Sequence, residues 1–172
     1  MHYCLRCSHK LELKIPDDDN RNRLVCPNCS YIHYENPKII VGVLPFYHDK
    51  ILLCQRSIEP GYGLWTIPSG FMECNETLQE GAKREAKEEV GIQCDNLQLF
   101  VVYSIPRISQ VYMLFCSELA SNNIIVGPET LTADFFSFNT IPWPDIAFSA
   151  VKFSLNKFVS NYPITNNEFF IN

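Results

Sequence analysis

No apolar run in this 172-residue chain approaches the roughly 20 residues that a helix needs to cross a bilayer. A helical membrane protein is therefore not expected. Cations are scarce as well: 14 Lys and Arg stand against 19 Asp and Glu, for a formal charge of −5. Broad binding of nucleic acid relies on basic patches that neutralise phosphates, and this balance argues against it. No signal peptide is recognisable at the start, so the expectation is a cytoplasmic protein with reduced thiols. Hydrophobic residues, by contrast, make up 47% of the chain. That is enough for one ordinary core plus a small metal-stapled module.

Four of the eight cysteines form two C-x-x-C pairs, Cys4-Leu5-Arg6-Cys7 and Cys26-Pro27-Asn28-Cys29, separated by 18 residues. This is the spacing of a closed structural zinc site with two knuckles, in which four thiolates complete a tetrahedron. A disulfide framework fits less well, because the other cysteines are scattered singly. A redox C-x-x-C would need a surrounding βαβ pattern, which neither pair has. His9 and His33 lie nearby, but four cysteines leave no ligand position for them. Ile15 to Asn20, with three consecutive aspartates, reads as a solvated hairpin tip.

The densest chemistry lies between Gly70 and Ile92. Thr77 followed three residues later by Glu80 reads as a capping box, and Gly91 suits the left-handed position that ends a helix. The predicted helix is Leu78 to Val90. At about 100° per residue, Leu78, Ala82, Ala86 and Val90 share an apolar stripe. Glu89 falls within that stripe, Glu85 at its edge and Glu88 one step round. Like charges at such spacings repel, and burial adds a desolvation cost. A hard divalent cation relieves both. The competing reading is a solvated acidic face with i,i+4 pairs to Lys83 and Lys87.

The wider pattern is glycine, five residues, glutamate, seven residues, then Arg-Glu-apolar-x-Glu-Glu-x-Gly-apolar, nine constrained positions across 23 residues. It resembles the signature of the Nudix hydrolases at every fixed position. The resemblance implies that Glu85, Glu88 and Glu89 bind catalytic Mg²⁺ or Mn²⁺, joined by the carbonyl of Gly70. It further implies that Arg84 orients Glu85 and that Glu76 supports the metal site. Asn75 stands where relatives often have glycine, and asparagine tolerates the left-handed conformation best among other residues.

The resemblance extends along most of the chain, through Asn36-Pro37-Lys38, Ile51 to Arg56, Gly63 to Pro68, Gly127-Pro128-Glu129 and Ala147-Phe148-Ser149. It is similar to the zinc-ribbon Nudix proteins related to plant FAD and ADP-ribose pyrophosphatases. The implied architecture is a zinc ribbon over residues 1–35, bound to Zn²⁺, followed by a Nudix domain over 36–172. That domain is an α/β/α sandwich around a mixed sheet. The implied reaction is hydrolysis of a pyrophosphate bond in FAD or ADP-ribose, releasing AMP, with a small nucleotide as the partner; such proteins are often homodimers. NADH pyrophosphatases share this architecture but carry a Ser-Gln-Pro-Trp-Pro-Phe-Pro element soon after the signature, where this chain reads Ile105 to Tyr112. Two further readings compete with hydrolysis of a small nucleotide: a non-catalytic sensor of ADP-ribose or a nucleotide, and an RNA-decapping enzyme.

The general base stays open among Glu88, Glu89 and Glu129. Arg56 and Arg107 are candidate phosphate contacts, since guanidinium grips phosphate bidentately; each is equally a surface arginine. Phe71 and Tyr112, with Tyr62 and Tyr103, are candidates to stack on a ring, against a core role for each. Trp65, Cys54, Cys94 and Cys116 read as core. Cys74 reads as exposed. Strands are expected at Ile39 to Leu44, Ile51 to Gln55, Leu97 to Ser104, Val111 to Cys116 and Phe135 to Phe138, with a last helix from Pro144 to Val159.

Overall fold

Backbone contacts divide the chain into two compact units, Met1–Pro37 and Lys38–Asn172. The structure is a computed structural model that describes residues 2–164 and 169–172.

In the first unit, three short strands form an antiparallel sheet in chain order: β1 (Glu12–Lys14), β2 (Arg23–Val25) and β3 (Ile32–His33). Its core is small, consisting of Cys4, Leu11 and Cys26 with Cys7, Leu24 and Tyr31 against them. The acidic triplet lies in the β1–β2 connection, as the hairpin reading expects. Asp19 accepts hydrogen bonds from the N–H groups of Asn20 (2.7 Å) and Arg21 (3.2 Å) and pairs with Arg23 at 3.0 Å.

The second unit is built on a mixed sheet. Its elements are β4 (Lys38–Tyr47), β5 (Lys50–Arg56), β6 (Trp65–Thr66), β7 (Ser69–Phe71), α1 (Leu78–Val90), β8 (Gln98–Ile105), β9 (Gln110–Glu118), β10 (Thr130–Ser137), α2 (Ser149–Asn161) and β11 (Phe170–Ile171). The order across the sheet is β10-β5-β4-β9-β8-β11, with β6 beside β5 and β7 beside β4. β4 pairs with β9, and β8 with β11, in parallel; the other pairs are antiparallel.

Strand alternation sorts the core into two layers. Ile40 and Leu44 of β4 and Ile51 and Leu53 of β5 pack with Ala150, Val151, Leu155 and Phe158 of α2. Val41, Val43, Leu52 and Cys54 pack with Ala82, Ala86 and Val90 of α1. A sheet covered by one helix on each face is the α/β/α sandwich. Its central strand, β4, is buried on both faces, which is why it reads as a continuous apolar run. No helix among the described residues is long and apolar enough to cross a membrane.

Two expected elements are corrected. The last helix begins at Ser149, not Pro144: Trp143–Asp145 is a short 3-10 turn that follows Pro142 and contains Pro144, and Phe148 is extended. Ala147 stands outside the helix, and its N–H donates to the Trp65 carbonyl at 2.9 Å. The last long strand runs from Thr130, well before Phe135, because its polar first half pairs with β5 along a sheet edge. Trp65 is half-buried against Phe136, with ring centroids 4.8 Å apart. Cys54, Cys94 and Cys116 are buried and Cys74 is exposed.

Candidate active site

The site is assembled around α1, whose ends are both tied down. At its start, the Thr77 hydroxyl accepts from the Glu80 N–H (3.2 Å) and the Glu80 carboxylate accepts from the Thr77 N–H (2.8 Å), completing the capping box. At its end, Gly91 is left-handed with φ 66°. A second device is not legible in the sequence. The N–H groups of Ile125 and Gly127 donate to the carbonyls of Val90 (3.0 Å) and Glu89 (2.9 Å), satisfying orphan acceptors of the last turn. This contact also delivers Glu129 to the same region. The tight turn before the helix holds Asn75 at φ 69°, the left-handed conformation anticipated for it.

Arg84 organises the carboxylates. Its Nε and Nη2 clasp Glu76 at 3.1 and 2.9 Å, and its Nη1 reaches Glu85 Oε1 (2.7 Å) and Glu88 Oε2 (3.1 Å). Nη2 also donates to the Phe71 carbonyl at 3.1 Å. The planar fork of arginine makes this set possible, where an ammonium would act as a point charge. No ion pair from Lys83 or Lys87 occurs among the described residues, so the solvated-face reading lacks its pairs. The Arg84 fork, assisted by the Glu73 N–H, holds the Glu76 carboxyl below the usual range.

The three signature glutamates differ in environment. The Glu88 side chain is 59% exposed, that of Glu85 13%, and Glu89 is 7% exposed overall. Burial pushes the Glu85 carboxyl up, opposed by Arg84 and reinforced by the charges of Glu88 and Glu129. Burial, with the charge of Glu85, pushes Glu89 up to about 7. Glu89 Oε2 accepts from the Ser69 N–H (3.2 Å) and the Cys54 thiol (3.6 Å). The Glu85 carboxylate lies hard against Gly70, so close that a Cβ there would collide with it.

These carboxylates do not converge on one point: among the described residues, the four paired cysteines alone place three or more ligand atoms within 4.8 Å of one another. Arg84 stands between Glu85 and Glu88. The donor set is nonetheless all oxygen and anionic, and among the described residues it is ion-paired to one guanidinium alone, which is the chemistry of a hard divalent cation.

Of the candidate substrate contacts, Arg56 is half-buried, its Nε donating to the Pro60 carbonyl (2.8 Å) and its guanidinium 5.0 Å from the Phe148 ring centroid. Phe71 is half-exposed beside Gly70, with the Lys38 ammonium 5.3 Å from its ring centroid. Arg107 is exposed in the Pro106–Ile108 turn. Tyr112 is 6% exposed and packed in the layer containing α2, leaving little ring surface for a ligand.

The cysteine quartet lies in the other unit. Cys4–Cys29, Cys7–Cys26 and Cys7–Cys29 sulfurs are 3.6, 3.4 and 3.4 Å apart. A Zn–S tetrahedron of 2.3 Å bonds has edges of about 3.8 Å, so the quartet fits zinc with small adjustments. Both knuckles repeat one backbone form. Cys4 N–H donates to His9 O and Ser8 N–H to Cys4 O; Cys26 N–H donates to Tyr31 O and Ser30 N–H to Cys26 O. Ser8 and Ser30 are both left-handed. The recurrence of serine after each second cysteine is a readable signal of this form that the cysteine spacing alone does not use. Hydrogen bonding, first from the His9 backbone, lowers the Cys7 thiol to about 5, while the neighbouring thiols and burial raise Cys29 to about 12. His9 instead contacts the Cys7 carbonyl (3.2 Å), and His33 lies 3.8 Å from Glu35.

Comparison with known proteins accounts for both units. The NUDIX domain family matches residues 36–155, and the Nudix N-terminal zinc-ribbon family matches residues 2–35. The chain belongs to the Nudix hydrolases. An ADP-ribose pyrophosphatase of Methanocaldococcus jannaschii is 33% identical over 116 residues, covering 65% of this chain and 69% of that protein. An NAD-capped RNA hydrolase, NudC, of Vibrio atlanticus is 30% identical over 148 residues, covering 85% of this chain. The chain spans about half the length of the NudC relatives it matches. Over its whole length it is similar to a NUDIX hydrolase from Nitrosomonas europaea, with a TM-score of 0.92 and 42% identity, covering 99% of this chain and 97% of that one.

Proposed function

We propose that this Nudix hydrolase cleaves the pyrophosphate bond of a nucleoside diphosphate linked to a second group, FAD or ADP-ribose, and releases AMP. The carrying observation is the charge imbalance at α1. Glu76, Glu85 and Glu88 share one guanidinium, and buried Glu89 has no ion pair among the described residues, only the more distant charge of Arg56 to offset its own. Glu85, Glu88 and Glu89, with the Gly70 carbonyl, would hold Mg²⁺ or Mn²⁺. When bound, such ions polarise phosphoryl oxygens and bring the pKa of a bound water toward neutrality.

The residues of the chain do the rest. Arg84 aligns Glu85 and Glu88 from one side, and Ser69 N–H fixes Glu89 from the other. Glu129, carried in by the segment that caps α1, adds a further carboxylate whose charge reaches Glu85; it is a weaker candidate for the base than Glu88 or Glu89. Arg56 would steady a phosphate, and the half-exposed ring of Phe71 would stack against a base. The ribbon, residues 1–35, would hold one Zn²⁺ through Cys4, Cys7, Cys26 and Cys29, and the Nudix domain would comprise residues 36–172.

The substrate choice rests on similarity to the archaeal ADP-ribose pyrophosphatase and on the resemblance to plant FAD and ADP-ribose pyrophosphatases. A second reading, action on NADH or an NAD-type cap, is favoured by the NudC relatives. The Ile105–Tyr112 segment, which lacks the Ser-Gln-Pro-Trp-Pro-Phe-Pro element, weighs against it. Mass-spectrometric product analysis with Mg²⁺ across FAD, ADP-ribose, NADH, NAD-capped RNA and nucleoside triphosphates tests the assignment. The expected result is AMP from FAD or ADP-ribose, and preferential turnover of NADH or capped RNA would overturn the substrate choice. Tight binding without hydrolysis of any of them would instead identify a sensor.

A further inference from the structure

Cys54 reads in the sequence as a small core residue, and it is buried with 1% exposure. Its surroundings are not those of an apolar filler. The Sγ lies 3.6 Å from Glu89 Oε2 and 3.5 Å from the Thr66 carbonyl oxygen. A thiol has one proton to donate, and two acceptors face it, one of them a buried carboxylate. The position of the sulfur is set by strand pairing on both sides, Cys54 opposite Thr66 in β6 and Ala133 in β10.

The two donors to Glu89 both engage the same oxygen. Ser69 N–H (3.2 Å) and the Cys54 thiol meet at Oε2. Among the described residues no hydrogen bond engages Oε1. We propose that Cys54 is a positioning residue for the metal site: with Ser69 N–H it ties down Glu89 Oε2 and so presents Oε1 to the divalent ion. This rests on the reading that Glu89 holds such an ion. A carboxylate held by hydrogen bonds arrives pre-oriented, and outer partners of metal ligands characteristically tune affinity. In the contact at 3.6 Å the thiol donates and the carboxylate oxygen accepts.

The test compares C54S, which keeps a donor, with C54A and C54V, which remove it. Mn²⁺ affinity is measured by electron paramagnetic resonance of free ion on the full chain, with zinc retained. Expected is a loss of about ten-fold in C54A and C54V, with C54S within about two-fold of wild type. The Mn²⁺ concentration for half-maximal hydrolysis should move by the same factors. Wild-type affinity in C54A and C54V overturns the proposal, as does equal weakening of C54S and C54A, which would tie the effect to packing. Thermal melting identifies any variant that fails to fold, and C54A with C54S then carries the comparison. E89Q separates the two levels. Unchanged Mn²⁺ binding in E89Q removes the underlying reading itself, whereas loss in E89Q with none in C54A or C54V removes only the role of Cys54.

Discussion

Glu89 makes folding stability depend on pH in a direction opposite to that of an ordinary carboxylate. Its pKa rises from 4.5 to about 7, through burial and the neighbouring Glu85 charge. Below pH 4.5 both folded and unfolded chains carry the proton. Between 4.5 and 7 only the folded chain does, so stability falls as pH rises, by about 1.4 kcal/mol per unit. Over the shift of roughly 2.5 units the total is about 3 kcal/mol; at 7% exposure, solvent screening takes little from it. Glu89→Gln removes the titration while keeping an acceptor for Ser69 N–H. The assay is urea unfolding of wild type and E89Q from about pH 4 to about pH 8, with zinc retained and no Mg²⁺ or Mn²⁺. The two proteins should be nearly equal at the acid end, and E89Q should be more stable by about 3 kcal/mol at the alkaline end. Adding Mg²⁺ there should narrow the gap by stabilising only wild type. A stability difference that does not change with pH would refute the buried-carboxylate account of the site.

Gly70→Ala should cost little in melting, because the colliding Glu85 carboxylate is the far end of a side chain and not backbone, but displacing it by about 1 Å, against its bond to Arg84, should lower kcat on the order of 100-fold; a wild-type rate would refute the contact. Gly127→Ala should cost about 1–3 kcal/mol in urea unfolding, since its Cβ would strike the Glu88 backbone carbonyl, and should also slow hydrolysis by moving Glu129; unchanged stability and rate would count against this segment as part of the site. Metal analysis of reduced protein should find about one zinc per chain and none in Cys26→Ser; zinc-free wild type with an intact ribbon would exclude the structural role.

What can be read from the sequence follows the range of the forces involved. The α1 limits, the capping box and the left-handed Gly91 are set within a few residues of each other, and all three are found where local chemistry puts them. The cysteine pairs are similarly local, because each knuckle is one turn of backbone. The start of the last helix is misplaced by its apolar period, which continues back through Ala147, while Pro142 and Pro144 hold the preceding chain in a turn. Tyr112 cannot be placed by period alone, since alternate residues of β9 face two different buried layers.

The interactions that distinguish the three glutamates are hidden in the sequence for the same reason. Cys54 and Glu89 are 35 residues apart and meet because Cys54 of β5 packs in the same layer as α1. Gly127 reaches that turn from a still later segment. A helical wheel treats Glu85, Glu88 and Glu89 as one crowded face. The fold gives them separate partners: Arg84 for Glu85 and Glu88, and Ser69 N–H with a thiol for Glu89. A guanidinium pairs with the first two, whereas the third has neutral donors and only the more distant charge of Arg56 to offset it. Glu89 is therefore the carboxylate for which a divalent ion would relieve the largest penalty. Its buried position, more than its place in the signature, makes it the most informative residue to change.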